Sequence, residues 1–306
     1  MPKANKKKAR TISVLTLATI VLAFVSFLHL THQYAGLEHQ SIANPTTVPE
    51  GVTPSCLVHH STCTGLCETV GGFVRSKREE ILEGGGWAAY YQSMSDYYRC
   101  TGSKKVVEVG VAYGSQVAFH LKNSEFIEEY HVVDPFMAGY DPGDSTSQEI
   151  QTADPSAKPE DISKAWFQAM DKHLGFDGFY KKNEKIEPGG CKLRMHHKKS
   201  VEVASMFGDR SLDAVFIDGL HTYEGVADDI AAWKNKIKDG GSLIFNDFFQ
   251  YVYFPGVSKA VLEFAESQNT EVFYIDYASF NALVGGKKEC AYGGKATLPP
   301  EASKYH

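Results

Sequence analysis

The chain has 306 residues, with 31 Lys and Arg against 37 Asp and Glu, for a formal charge of −6. Five of the basic residues (Lys3, Lys6, Lys7, Lys8 and Arg10) fall in the first ten positions, so 26 remain against the 37 acids, or −11 for the rest. A body that acidic argues against nucleic acid as a partner.

Residues 11–30 follow the basic head without one Asp, Glu, Lys or Arg and are rich in Leu, Val, Ile, Ala and Phe. Twenty residues of helix span a bilayer core, and the positive flank stays cytoplasmic. The expectation is a basic tail at 1–10, a transmembrane signal anchor at 11–30 and a single-pass type II membrane protein. The remainder of the chain would be lumenal (Golgi or ER) or otherwise extracytoplasmic. A cleaved signal peptide, giving a secreted protein, is the competing reading. The length of the apolar run and the lack of a clean A-x-A site favour retention. A weakly hydrophobic organelle-targeting segment is a third reading.

Residues 31–70, with Asn44-Pro-Thr-Thr-Val-Pro-Glu-Gly-Val-Thr-Pro54, read as an extended stem. They lead into Cys56, Cys63 and Cys67, and Cys100, Cys191 and Cys290 follow downstream. Six cysteines allow fifteen complete pairings. Their spacings do not fit common zinc patterns, so disulfides tying the stem to the domain are expected instead.

A domain of ordinary α/β size is expected over 71–293, with a tail at 294–306. Val106-Val107-Glu108-Val109-Gly110 predicts a strand that runs into a turn ending at Gly114, with a helix from Ser115. Tyr130-His131-Val132-Val133 predicts a second strand closing on Asp134. Glycines at a strand-to-helix turn let a ligand approach the backbone, and an acid closing the next strand can hold a ribose. The spacing G-x-x-x-G departs from the dinucleotide fingerprint and counts against an NAD enzyme. An insertion spans about 136–190. Its Ser/Thr/Asp/Pro-rich first part reads either as a lid or as a surface loop, and Trp166, Met170 and Leu174 mark a helix over 162–174. As a lid it would bring Tyr140 and Trp166 over an acceptor. A strand is expected over 191–200, ending at Ser200, with His196, His197, Lys198 and Lys199 as an exposed basic edge.

The most informative stretch is 212–248. Ala214-Val215-Phe216-Ile217 is a buried strand that stops at Asp218 and His221, and Leu243-Ile244-Phe245 is another that stops at Asn246 and Asp247. Between them Tyr223, Val226, Ile230, Trp233 and Ile237 mark a helix by their 3 and 4 spacings, with Gly240-Gly241 expected as its C-cap. Asp228 and Asp229 are read as that helix's solvated face. Strand–helix–strand of this length is a right-handed parallel crossover. Ligands sit outside the carboxyl ends of such strands, which gathers two carboxylates, an amide and an imidazole in one place. Downstream, Glu271–Ile275 and Ser279–Val284 predict two strands joined by a tight turn, after a helix opened by Pro255.

Glu108-Val-Gly110-x-x-x-Gly114, Asp134, Ser200, Asp218-Gly-x-His221-x-Tyr223 and Asn246-Asp247 together resemble a class I S-adenosylmethionine-dependent methyltransferase. The resemblance is nearest to the metal-dependent O-methyltransferases of the macrolide-sugar type, methyltransferase family 24, and covers about 71–286. It implies a Rossmann-like α/β sheet, mostly parallel with an antiparallel last strand and helices on both faces. It also implies that Glu108, Gly110, Tyr113, Gly114, Asp134, Ser200 and Asp218 bind S-adenosylmethionine. Asp218, Asn246 and Asp247 would hold Mg2+ or another divalent cation, and His221 would be the general base. Asn246 departs from the closest relatives, which carry an acid there. The acceptor implied is a hydroxyl of a sugar, glycan or small metabolite, and an oligomer is compatible with all of this. Two other readings stand beside it. One is a lumenal type II glycosyltransferase, for which the only nearby acidic pairs are Asp228-Asp229, inside a helix, and Asp141-Pro-Gly-Asp144, in a loop. The other is a degenerate methyltransferase fold used as a binding module.

Overall fold

A computed structural model of the chain divides it into Met1–Ser55 and Cys56–His306. It describes residues 88–306 apart from 143–144, 154, 174–184, 187–191, 276–281 and 292–293, together with Ser76 and Glu83. The predicted anchor, the stem and Cys56, Cys63, Cys67 and Cys191 therefore lie outside the described residues. Among those described, no helix is long and apolar enough to cross a membrane.

Five parallel strands form the centre of one sheet: β1 (Lys105–Val109), β2 (Glu129–Val133), β4 (Lys192–His196), β5 (Leu212–Ile217) and β6 (Ile237–Phe245). With β3 (Lys185–Ile186), β7 (Val272–Tyr274), β8 (Ala282–Gly285) and β9 (Gly294–Lys295), the order is β3-β4-β2-β1-β5-β6-β8-β7-β9. β8 runs antiparallel between β6 and β7, as expected of the last strand.

Both faces of the sheet are covered, which is why β5 is apolar at nearly every position and buried throughout. Phe216 and Ile244 pack under α1 (Ala88–Thr101), α2 (Ser115–Asn123) and α4 (Pro159–His173), through Tyr97, Tyr98, Val117, Phe167 and Met170. Val215, Ile217 and Phe245 face the other way, onto α5 (Ser200–Ala204), α6 (Tyr223–Trp233) and α7 (Pro255–Ser267), through Val203, Trp233 and Val261.

Four local expectations change. The helix after His221 stops at Trp233, Lys234–Lys236 forms a 3-10 turn, and Gly240 and Gly241 lie inside β6 instead of capping the helix. A Cβ on Gly241 would stand 2.6 Å from Asp213 O, so this glycine serves the close approach of β6 to β5. Ser200 opens α5 instead of ending a strand. The polar part of the insertion contains a helix, α3 (Ser145–Ala153). Residues 294–306 add β9 to the sheet, and Ala296 N donates to Val272 O.

Cys100 on α1 and Cys290 are bonded, with Cα atoms 5.6 Å apart across 190 residues. Closing a loop of that length removes unfolded-state entropy worth about 5 kcal/mol in the chain-entropy picture. Cys100→Ser should therefore lower the urea midpoint and raise the denaturant slope, because the unfolded chain freed of the cross-link exposes more surface. A midpoint equal to wild type would show the bond absent in solution.

Candidate active site

The carboxyl ends of β1, β2, β5 and β6 open on a cavity of about 690 Å3, a size suited to a cofactor with a small acceptor. β1 enters its turn at Gly110, whose φ is +83°. A Cβ there would lie 1.7 Å from Asp218 O, so the glycine is required for β1 and β5 to approach. The turn closes at Gly114, φ 71°, which begins α2. Asp134 ends β2 buried, accepting from Val111 N (2.9 Å) and Phe136 N (2.6 Å), which pins the turn to the second strand. Tyr113 lines the cavity and donates to Glu149 of α3, and Trp166 Nε1 of α4 donates to Ala112 O at 2.8 Å. The insertion thus lies against the turn, and Tyr140 also lines the cavity.

Glu108 sits below the turn, 2 % exposed, accepting from Tyr130 OH and from Gln116 Nε2 at 3.2 Å. Burial, helped by Asp218 and Asp134, pushes its carboxyl up to about 8 against those hydrogen bonds. Asp229, expected in solvent, is 5 % exposed and lines the cavity, with burial raising it to about 6. Ser200 also lines the cavity, but its hydroxyl accepts from Trp233 Nε1 (2.7 Å) and pairs with Asp229, so its hydroxyl is committed to the protein.

Asp218, His221 and Asp247 form the second half of the site, with ligand atoms within 4.8 Å of one another. Asp247 adopts φ +55°, a conformation that costs a non-glycine residue about 1–2 kcal/mol. Ala112 (φ 45°), also in the wall, and Phe136 (φ 46°), beside it, share that region. Such strain persists where the surroundings over-determine it, as at binding sites. Asn246 Nδ2 donates to Asp218 Oδ1 and its Oδ1 accepts from Tyr90 OH, both at 2.8 Å. His221 Nδ1 pairs with Asp141, while Nε2 lies 3.2 Å from Asp247 Oδ2 and 3.4 Å from Asp218 Oδ1. Burial lowers the imidazole, but Asp141, Asp218 and Asp247 outweigh it and push it up to about 12. Burial, with Asp247, also raises Asp218 against the pull of His221 and Asn246. The residues fit a divalent cation: two carboxylates converge with a buried Nε2 that has no aligned hydrogen bond. They also fit a cationic cofactor, since acids outnumber Lys199 and His221 in the wall.

Residues 107–248 match the family model described as a methyltransferase domain. That stretch of the chain is a methyltransferase domain. The matched span runs from β1 through Asp247 and so contains the cavity's glycine turn, Asp134 and the Asp218–His221–Asp247 cluster. No curated protein matches the chain. Among solved structures it is similar to the O-methyltransferase NovP, at 15% identity over 72% of this chain and 96% of that one, TM-score 0.45. It is also similar to CalS11, a TDP-rhamnose 3'-O-methyltransferase of calicheamicin biosynthesis, at 14% identity over 74% and 96%, TM-score 0.43. A third is the methyltransferase PaMTH1 of Podospora anserina, at 11% over 75% and 91%, TM-score 0.41.

Every residue proposed from sequence lies at this end of the methyltransferase domain. Tyr90, Asp141 and Asp229 were missed as site residues. Asp229 had a signal, since Val226, Asp229 and Trp233 share the 3 and 4 spacing of the buried stripe. Tyr90 and Asp141 come from other elements, 156 and 80 positions from their partners, and no local pattern announces them.

Proposed function

We propose that this methyltransferase transfers a methyl group from S-adenosylmethionine to a hydroxyl of a sugar, glycan or small metabolite, with a divalent cation at Asp218 and Asp247. The observation that carries the reading is one cavity holding both the Gly110–Gly114 turn with Asp134 and the Asp218–His221–Asp247 cluster. S-adenosylmethionine supplies a methyl on sulfonium sulfur: the acceptor oxygen bonds to the carbon as the C–S bond breaks, its electron pair staying on sulfur. A cation would lower the cost of removing the hydroxyl proton. The protein's share is placement. The turn's backbone and Asp134 would seat the donor, and Asp218 and Asp247 would hold the cation. The hydroxyl proton would leave onto the carboxylates of the cluster, and alignment of donor and acceptor would supply much of the acceleration. Tyr140 and Trp166, in the same wall, would cover the acceptor.

The 11–30 apolar run and the Cys100–Cys290 bond both support a type II protein whose domain faces an oxidising compartment. Calorimetry of the full-length protein with S-adenosylmethionine and S-adenosylhomocysteine tests the function. Both should bind, and Asp134→Ala should weaken binding about 10–100-fold, the worth of a charge-assisted hydrogen bond. No heat with either compound would leave a binding module. Comparing glycans and metabolites with and without the gene, for species one methyl apart, would then identify the acceptor.

A further inference from the structure

The ligand set of the cation can be taken further, an inference that rests on the reading above. Asp141 Oδ2 accepts from His221 Nδ1 and also lies 3.3 Å from His221 N, so one carboxylate holds both the ring and the backbone of this residue. The other ring nitrogen, Nε2, is buried and has no aligned hydrogen bond, yet it stands 3.2 Å from Asp247 Oδ2 and 3.4 Å from Asp218 Oδ1. Those separations are the ones ligands take around a shared ion. Bonds of about 2.0–2.2 Å, at tetrahedral or octahedral angles, put donor atoms roughly 3.0–3.5 Å apart. Asn246, the third ligand implied by the family resemblance, is otherwise engaged: its Nδ2 faces Asp218 and its Oδ1 takes the Tyr90 hydroxyl. A ring nitrogen turned to a metal, with the other held by a carboxylate, is the usual arrangement of ligating histidines.

We propose that the cation is held by Asp218, His221 Nε2 and Asp247, with Asp141 orienting the imidazole, and that the site takes a first-row transition ion such as Mn2+, Co2+ or Zn2+ in preference to Mg2+. Two carboxylates and one imidazole suit those ions, whereas Mg2+ favours oxygen alone. The ion would displace the Nε2 proton that the surrounding carboxylates otherwise hold on the ring, and that proton would pass to solvent. His221 then acts as a ligand and not as the base, and the hydroxyl proton leaves through the carboxylates to solvent. Because Asp141 belongs to the insertion, the affinity for the ion depends on that segment being in place.

The test uses the full-length protein stripped with EDTA, titrated calorimetrically with MnCl2 and MgCl2, and the Mn2+-loaded protein measured by electron spin-echo spectroscopy. Mn2+ should bind at least about tenfold tighter than Mg2+, because an imidazole in the ligand set suits a transition ion and not Mg2+, and the echo should carry 14N modulation. His221→Ala should remove the modulation and weaken Mn2+ about 10–100-fold. Asp141→Asn should weaken it about tenfold, the size of an outer-shell effect, and Asn246→Ala less than about threefold. Wild type without 14N modulation, or without Mn2+ binding, overturns the proposal whatever the variants do. So does full Mn2+ affinity in His221→Ala with a loss in Asn246→Ala, which would restore the oxygen triad. S-adenosylhomocysteine calorimetry on the same samples separates the two levels. Product binding without an imidazole-ligated ion sinks this inference alone, and ion binding without product sinks the methyltransferase chemistry.

Discussion

Asp247→Asn should cut methyl transfer by about 10²–10³-fold while S-adenosylhomocysteine binds within about threefold of wild type. The choice of asparagine matters. Asp247 sits at φ +55°, a conformation that Asn tolerates better than most residues, so the substitution keeps the backbone and removes only the charge. What is lost is a carboxylate 3.2 Å from His221 Nε2, and with it the field that, on the proposed reading, would fix the cation and stabilise the deprotonated acceptor. Losing one preorganised electrostatic partner of that kind costs about 10²–10³ in rate. On the proposed reading the cofactor would be held at the ends of β1 and β2, by the Gly110 turn and Asp134, so binding of the demethylated product should survive. Transfer of labelled methyl to the acceptor, alongside product calorimetry, checks both halves. Undiminished transfer in Asp247→Asn would reduce the cluster to a structural role. Equal loss of product binding would place Asp247 in the cofactor site.

The central crossover was legible because β5 and β6 must be apolar on both faces, which leaves continuous hydrophobic runs that end abruptly at Asp218 and Asn246. The helix between them was legible from its stripe, but its end was not. Gly240-Gly241 satisfies the C-cap rule locally, yet the close passage of β6 past Asp213 O claims Gly241 for the strand. Asp229 shows the same limit from the other side: hydrophobic periodicity counts apolar residues, and a carboxylate on the buried stripe facing a cavity does not register. Tyr90 and Asp141 were invisible for a further reason. Each completes the site from a distant element, so its role exists only once the chain has folded. The pairing of Cys100 with Cys290 belongs to the same class, being fixed by where α1 meets the end of the domain.

Glu108→Gln should stabilise the cofactor-free protein at pH 8.5 by roughly 3–5 kcal/mol and leave it nearly unchanged at pH 4.5. The wild-type carboxyl is 2 % exposed and, mainly through burial, titrates at about 8 instead of 4.5. Its folded-state value is raised, so the folded state holds a proton that the unfolded chain has released between those two pH values. Stability therefore falls as pH rises from about 4.5 to about 8. A difference between variant and wild type is needed to see this. His120 and His131 are driven down to about 3 and about 4 by burial, and they make stability rise as pH rises toward 6.5. Glutamine keeps an oxygen to accept from Tyr130 and Gln116, so the neutral hydrogen bonds survive. For a domain of this size the gap at pH 8.5 should appear as about 10 °C in thermal midpoint. Midpoints that shift in parallel across the pH range would show Glu108 ionised throughout. The same experiment exposes what an acid supplies at that position. A buried carboxylate beneath the glycine turn, costly when the cavity holds no cation, becomes favourable when the sulfonium cofactor arrives. Glu108→Gln should accordingly bind S-adenosylmethionine more weakly while melting at a higher temperature, stability and function moving in opposite directions.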